Sequence, residues 1–291
     1  MALFSFGKSN GNIAELTSEK TGELIKKLSG KDTVSDIKIP DNVILFTNAS
    51  GGAGTSTIVS NVAYMMASRG FRTLIIDLNI LFPNQHLYFN ASQELEKSDL
   101  ISFINGRTSL GESIEQVDGL SLMYAHNRGI LDIINSESNS AVNNFKEGIT
   151  RLRELFDIVI IDCPMKIENY LCNTAMYLAD QIYLVWDEGI GSISNTDKIR
   201  RNMANTGIDA YTKLKVILNK RTHIQYSNYP FEKLNMELLR YIPFEPAVIS
   251  SSLNAEIFCR KASSSSKNAA YFVGCIENLV SDILSIGGYI E

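Results

Sequence analysis

With 291 residues the chain can bury a large core in one α/β domain, or build two small domains. Hydrophobic residues at 45% and charged residues at 20% are ordinary for a soluble globular protein, and the net charge of −5 argues against a strongly basic nucleic-acid binder. Apolar runs such as Ile158–Ile161 are strand-length and fall short of the ~20 residues of a membrane-spanning helix.

Residues 1–40 read as a polar N-terminal extension with one short helix, Glu15–Leu28, closed by Gly30. The opening stretch, Met1 to Lys8, has no charged lead before a long apolar run, so no secretory signal is expected. Pro40 and Asp41 mark the entry to the main domain, residues 41–291. Strand candidates follow at Val43–Thr47, Thr73–Asp77, Leu120–Tyr124, Asp157–Asp162, Gln181–Trp186, Lys213–Leu218 and Arg240–Ile242. Helical patterns lie between and after them, near Ser56–Ser68, Ser140–Leu155, Glu168–Ala179, Asn195–Asn205, Pro230–Leu239 and Asn268–Ile286, with a loop at Ser263–Ser266. Several strands are near-continuously apolar rather than alternating, as expected for parallel strands covered by helices on both faces. The alternation predicts a doubly wound, mostly parallel α/β fold, a three-layer sandwich with ligands at the carboxyl ends of the strands.

The four cysteines (Cys163, Cys172, Cys259, Cys275) form no Cys-x-x-Cys pair, and His86, His126 and His223 lie far apart. Ordinary buried thiols in a reducing cytoplasm are expected, rather than a metal cluster.

Residues 42–57 are the most informative stretch. A buried strand runs into Ser50-Gly51-Gly52-Ala53-Gly54-Thr55-Ser56-Thr57 and then a helix. In a phosphate loop, glycines let backbone N–H groups face the ligand, and the following helix points its N-terminus at the anion. The usual pattern is G-x-x-x-x-G-K-S/T, with the lysine on the outer phosphates and the hydroxyl on Mg²⁺. Aligned on Gly54, this chain has Ala49 at the first glycine and Thr55 at the lysine, while Ser56 keeps the hydroxyl.

Three further segments follow in order: Phe71-Arg72-Thr73-Leu74-Ile75-Ile76-Asp77-Leu78-Asn79, Phe156-Asp157-Ile158-Val159-Ile160-Ile161-Asp162-Cys163-Pro164, and Ile217-Leu218-Asn219-Lys220 with Ile242-Pro243. With the loop, they make the chain resemble the ParA/MinD superfamily of deviant-Walker P-loop ATPases over about residues 41–285. They match that family's K-G-G-x-G-K-S/T-S/T loop, its "rVLLIDxD" strand, its Walker B "yDyiiiDcP" and its late nucleotide-base segment with "iP" turn. The resemblance implies ATP or ADP with Mg²⁺ as cofactor, held by Ser50, Gly51, Gly52, Ala53, Gly54, Thr55, Ser56, Thr57, Asp77, Asp162 and Asn219. Ser56 and Asp162 would hold the metal, the carboxylate through water; Asp77 would face the phosphates and Asn219 the base. The bland alternatives are a helix cap at Asp162, a turn cap at Asp77 and a strand-terminal turn residue at Asn219.

The departures remove charge. In the family one lysine reaches across a dimer to the partner's nucleotide, a second contacts phosphates in cis, and a second aspartate positions the attacking water. Here these positions are Ser50, Thr55 and Asn79. A charge-assisted hydrogen bond contributes roughly 1.5–3 kcal/mol, so one lost lysine weakens nucleotide binding by about 10- to 150-fold. Phosphoryl transfer suffers more, because positioned positive charge is its chief catalyst. A pseudo-ATPase is expected, with Lys166 as a candidate stand-in cation.

By resemblance, the chain is a homodimeric positional organiser within a larger protein assembly, cytoplasmic and polar or membrane-peripheral. Its degenerate loop is most like the TadZ/CpaE branch, which places pilus or secretion machinery, although the region before residue 41 is too short for the receiver-like domain often found there. Two rivals are an active ATPase in DNA partition or division-site placement, and a nucleotide-free scaffold. The basic clusters Lys198, Arg200, Arg201 and Arg260, Lys261 are short and read as solvated helix faces, which disfavours non-specific DNA binding. Phe272, Ile276, Val280 and Ile283 lie on one helical face without lysines opposite, so packing on the domain is expected over membrane targeting. Leu3-Phe4-Ser5-Phe6 is a short apolar tag available for a partner or membrane.

Overall fold

The computed structural model describes residues 41–92, 99–126, 138–164, 169–222, 234–261 and 267–289. In chain order the strands are β1 (Val43–Asn48), β2 (Thr73–Asp77), β3 (Glu115–Val117), β4 (Leu120–Tyr124), β5 (Ile158–Cys163), β6 (Gln181–Trp186), β7 (Leu214–Arg221) and β8 (Leu238–Pro243). The helices are α1 (Thr55–Ser68), α2 (Gln85–Tyr88), α3 (Leu100–Ile104), α4 (Asn139–Leu155), α5 (Tyr170–Leu178), α6 (Ile190–Asn205), α7 (Ala210–Lys213), α8 (Pro246–Leu253), α9 (Phe258–Lys261) and α10 (Lys267–Ile286). One eight-stranded sheet runs in the order β3-β4-β2-β5-β1-β6-β7-β8, parallel except for the β3–β4 edge pair.

Each central strand is apolar on both faces because both are covered. Val43 and Leu45 of β1 pack in one core cluster with α4, α5 and α6, while Ile44 and Phe46 pack in the other with α1 and α10. Side chains alternate between the two faces, so double coverage turns alternation into a continuous apolar run. The result is the doubly wound three-layer sandwich expected from the sequence.

The differences are local. β3 went unpredicted because three half-buried or exposed residues carry no hydrophobic period. β7 continues past Leu218 into Asn219, Lys220 and Arg221, because pairing with β8 persists after the apolar run ends. The predicted helix at Pro230–Leu239 starts outside the described residues, and Leu238 and Leu239 belong instead to β8, where Leu238 pairs with Val216. Helix α6 starts five residues before the expected Asn195, at Ile190. Lys166 and residues 1–40 lie outside the described residues. Helix α10 is long and apolar enough to cross a membrane by length and composition. Its Phe272, Ile276, Val280 and Ile283 are nevertheless buried in the α1-side core. The basic clusters are largely paired: Arg201 with Asp197, Arg260 with Asp118 and Lys261 with Glu256.

The turn entering β6 is tied down by one carboxylate. Asp180 accepts two bonds from Arg153 at 2.8 and 2.9 Å and one from Val43 N at 2.9 Å. Asp180→Ala is expected to lower stability by about 1–3 kcal/mol in urea denaturation, and Asp180→Asn by less, because the amide keeps one acceptor oxygen.

Candidate functional site

The loop between β1 and α1 takes its shape from two glycines. Gly52 and Gly54 have φ of 78° and 89°, a region that strains any residue with a Cβ. At Gly54 a Cβ would also stand 2.5 Å from Asn219 Nδ2. The loop carbonyls are held by amide side chains from neighbouring elements. Asn48 Nδ2 donates to Ser50 O at 2.9 Å, Asn195 Nδ2 to Ala49 O at 2.9 Å and Asn219 Nδ2 to Ala53 O at 2.7 Å. Helix α1 begins at Thr55 with no side-chain cap and no acidic residue in its first turn. Its first N–H groups and the positive end of its dipole thus remain available to an anion.

Beside the loop opens a cavity of about 510 Å³, lined by Gly52–Ile58, by Asn79, Asn84 and Asp162, and by Asn219, Lys220, Pro243 and Phe272. That volume falls within the roughly 300–1,000 Å³ of small-molecule sites.

Parallel register brings two acids together. Asp77 of β2 is the Cα partner of Asp162 of β5, and both side chains are buried. Asp77 accepts backbone N–H bonds from Asn79 at 2.9 Å, Asn84 at 2.8 Å and Gln85 at 3.0 Å. Burial, and then the charge of Asp162, push its pKa up to about 7 against the pull of those three donors. Burial also raises Asp162, opposed by the Gln85 side-chain amide at 2.7 Å and by the Ser56 hydroxyl.

Asp77 does not line the cavity. It accepts from three N–H groups of the turn from Asn79 to Gln85 and shapes that turn. Ser50 is likewise not among the lining residues, and its hydroxyl lies 3.2 Å from Ser192 Oγ. Gly51 is exposed and lies off the lining. Gly52, Ala53, Gly54, Thr55, Ser56, Thr57, Asn79, Asp162 and Asn219 do line it. Thr55, at the lysine position, buries a hydroxyl that has no hydrogen-bond partner. Thr57 Oγ1 lies 3.0 Å from Tyr88 OH.

A magnesium ion fits the donor set. Ser56 Oγ and Asp162 would hold it, and the buried oxygens Asn84 Oδ1 and Gln85 Oε1 close by lack hydrogen-bond partners. Among the described residues no cluster of three His, Cys, Asp or Glu ligands forms. When bound, the cation supplies positive charge at the outer phosphates.

Sequence reasoning missed Asn84, Gln85 and Tyr88. Asn84 and Gln85 reach Asp77 from seven and eight residues away, through a polar turn that follows no motif. Lys220 was within a recognised segment but was given no role there.

Two outcomes follow from this geometry. Gly54→Ala should cost about 1–3 kcal/mol of stability and lower nucleotide affinity, read by thermal melting with and without Mg·ATP. The Asp77 carboxyl should titrate near pH 7 in carboxyl-resolved NMR, and Asp162→Asn should move the midpoint down. Its folded pKa is raised, so the proton is held more tightly in the native state. The group therefore increasingly opposes folding as pH rises from the unfolded value to about 7, and by a constant amount above that.

The family model for an AAA domain matches residues 41–220. The septum site-determining protein MinD of Thermotoga maritima is 25% identical over 238 residues, covering 78% of this chain and 84% of that protein. Among solved structures, MinD from Pyrococcus horikoshii complexed with Mg-ADP superposes with a TM-score of 0.70 at 18% identity, covering 85% of this chain and 97% of that one. A ParA family ATPase from Chlorobium tepidum gives 0.69 at 18% identity, covering 85% and 99%. A chain of a MinC:MinD cell division protein complex from Aquifex aeolicus gives 0.68 at 17%, covering 84% and 96%. The glycine-shaped loop at the end of β1, the paired strand-end acids and the AAA-domain match together show that this chain belongs to the ParA/MinD superfamily of P-loop ATPases.

Proposed function

We propose that the chain is a dimeric positional organiser that holds ATP or ADP with Mg²⁺ and hydrolyses it slowly or not at all. One observation carries this reading. The loop glycines, the cavity and the magnesium donor set are intact, while the two lysine positions and the water-positioning aspartate are Ser50, Thr55 and Asn79. Backbone N–H groups and a divalent cation support ground-state binding, whereas turnover needs charge that strengthens in the transition state.

Relatives named septum site-determining proteins, and the MinC:MinD cell division complex, support a role in placing an assembly. The charge-depleted loop favours the pilus or secretion branch over division-site placement. The protein is assigned to the cytoplasm or the membrane periphery. Its dimer face is assigned to the carboxyl edge of the sheet, where Phe82 is 76% and Ile190 85% exposed on the segments after β2 and β6.

Nucleotide at about 100 times its Kd should raise stability by about 2.7 kcal/mol, read as a higher Tm with Mg·ATP, and phosphate release should stay at background. No stabilisation at millimolar nucleotide would make the protein a scaffold, and steady release would make it a working ATPase. Phe82→Asp with Ile190→Asp should convert a dimer to a monomer in light scattering, with a cooperative melt retained and Tm no longer dependent on protein concentration.

A further inference from the structure

β7 stays paired with β8 but becomes irregular at its last residues. Its register against β8 shifts between Leu218 and Arg221, and Lys220 takes φ of 56°, in the left-handed region unusual for lysine. Arg221 turns aside to stack over the Tyr241 ring, with its guanidinium carbon 4.0 Å from the centroid. Lys220 reaches the phosphate loop instead, and its Nζ donates to Gly52 O at 2.5 Å. Asn219, one residue earlier, holds Ala53 O. Two successive carbonyls of the loop are thus fixed by two successive side chains of β7.

This contact has two physical consequences. In a trans peptide, the carbonyl of one residue and the N–H of the next point in opposite directions, so fixing Gly52 O and Ala53 O orients the N–H groups of Ala53 and Gly54. A glycine-rich loop has the most conformational freedom to lose, so fixed carbonyls matter most here. An ammonium group also carries three protons, and one bond to Gly52 O leaves two for an anion. Among the described residues that line the cavity, Lys220 is the only cation.

We propose that Lys220 is the positioning cation of the phosphate loop. It braces the loop through Gly52 O and supplies from β7 the positive charge that Ser50 and Thr55 do not. The inference rests on the nucleotide-binding reading above and adds to it the source of the charge. It also gives this site a role for a lysine that comes from the base-proximal strand and not from the loop.

The test uses the full chain and the variants Lys220→Met, which keeps length without charge, and Lys220→Arg, which keeps charge. Binding of Mg·ATP, Mg·ADP and adenosine is titrated at low and high salt. Amide hydrogen exchange of residues 51–55 is followed without nucleotide. Lys220→Met should weaken Mg·ATP by about tenfold or more, weaken adenosine little and flatten the salt dependence, while Lys220→Arg restores most of the loss. Loop exchange should quicken in Lys220→Met at unchanged Tm. Unchanged exchange, Mg·ATP affinity within twofold of the unsubstituted protein, or equal losses for ATP and adenosine would overturn the proposal. Exchange is read without ligand, so a protein that binds no nucleotide sinks the functional reading while the brace still stands or falls on that measurement.

Discussion

Parallel pairing of β2, β5 and β1 sets the geometry on which the site depends. Because Asp77 pairs with Asp162 and Asp162 with Phe46, the three strands end at nearly the same level, and everything that follows them is brought to one edge. The glycine loop leaves β1 beside two buried acids, and the turn after β2 folds back so that Asn84 donates to Ser56 Oγ and Gln85 to Asp162. A one-residue slip of β2 against β5 would carry Asp77 to the opposite face and leave its three backbone donors without an acceptor.

Electrostatics at this edge are unusual for a glycine-rich loop at a helix N-terminus. Two acids sit side by side with raised pKa values, and the loop itself contributes no cation. Neutral donors do much of the work: backbone N–H groups around Asp77, the Gln85 amide on Asp162 and asparagine amides on the loop carbonyls. Such donors hold a shape well but stabilise developing charge less than a lysine does. Among the described residues that line the cavity, the one cation is Lys220, which arrives from β7. The proposed separation of binding from turnover rests on this combination of preserved shape and reduced charge.

Much of this was legible in the sequence. Continuous apolar runs bounded by turn residues marked the central parallel strands β1, β2, β5 and β6, because burial on both faces leaves no alternation to misread. Strand-end acids stood out for the same reason: Asp77 and Asp162 interrupt runs that otherwise tolerate no charge. Gly52 and Gly54 were recognisable as the bend of a loop. Less legible were segments without a period: the polar edge strand Glu115–Val117, the four-residue helix Gln85–Tyr88, and the polar end of β7. Their conformations depend on partners distant in sequence, and a short polar segment carries too few residues to record those partners.

Sequence alone determined the layers and the position of the loop, since these follow from composition and local pattern, while the missing lysines are read from the resemblance to the family's loop. Tertiary structure decided the direction of each functional side chain. Asp77 turned to serve a backbone turn and Ser50 turned toward α6, whereas Gln85 and Lys220 were brought in from segments that local pattern had left without a role. The physical reason is reach: a hydrogen bond forms or fails within a few tenths of an ångström, and that distance is fixed by how strands and helices pack, not by the identity of neighbours along the chain.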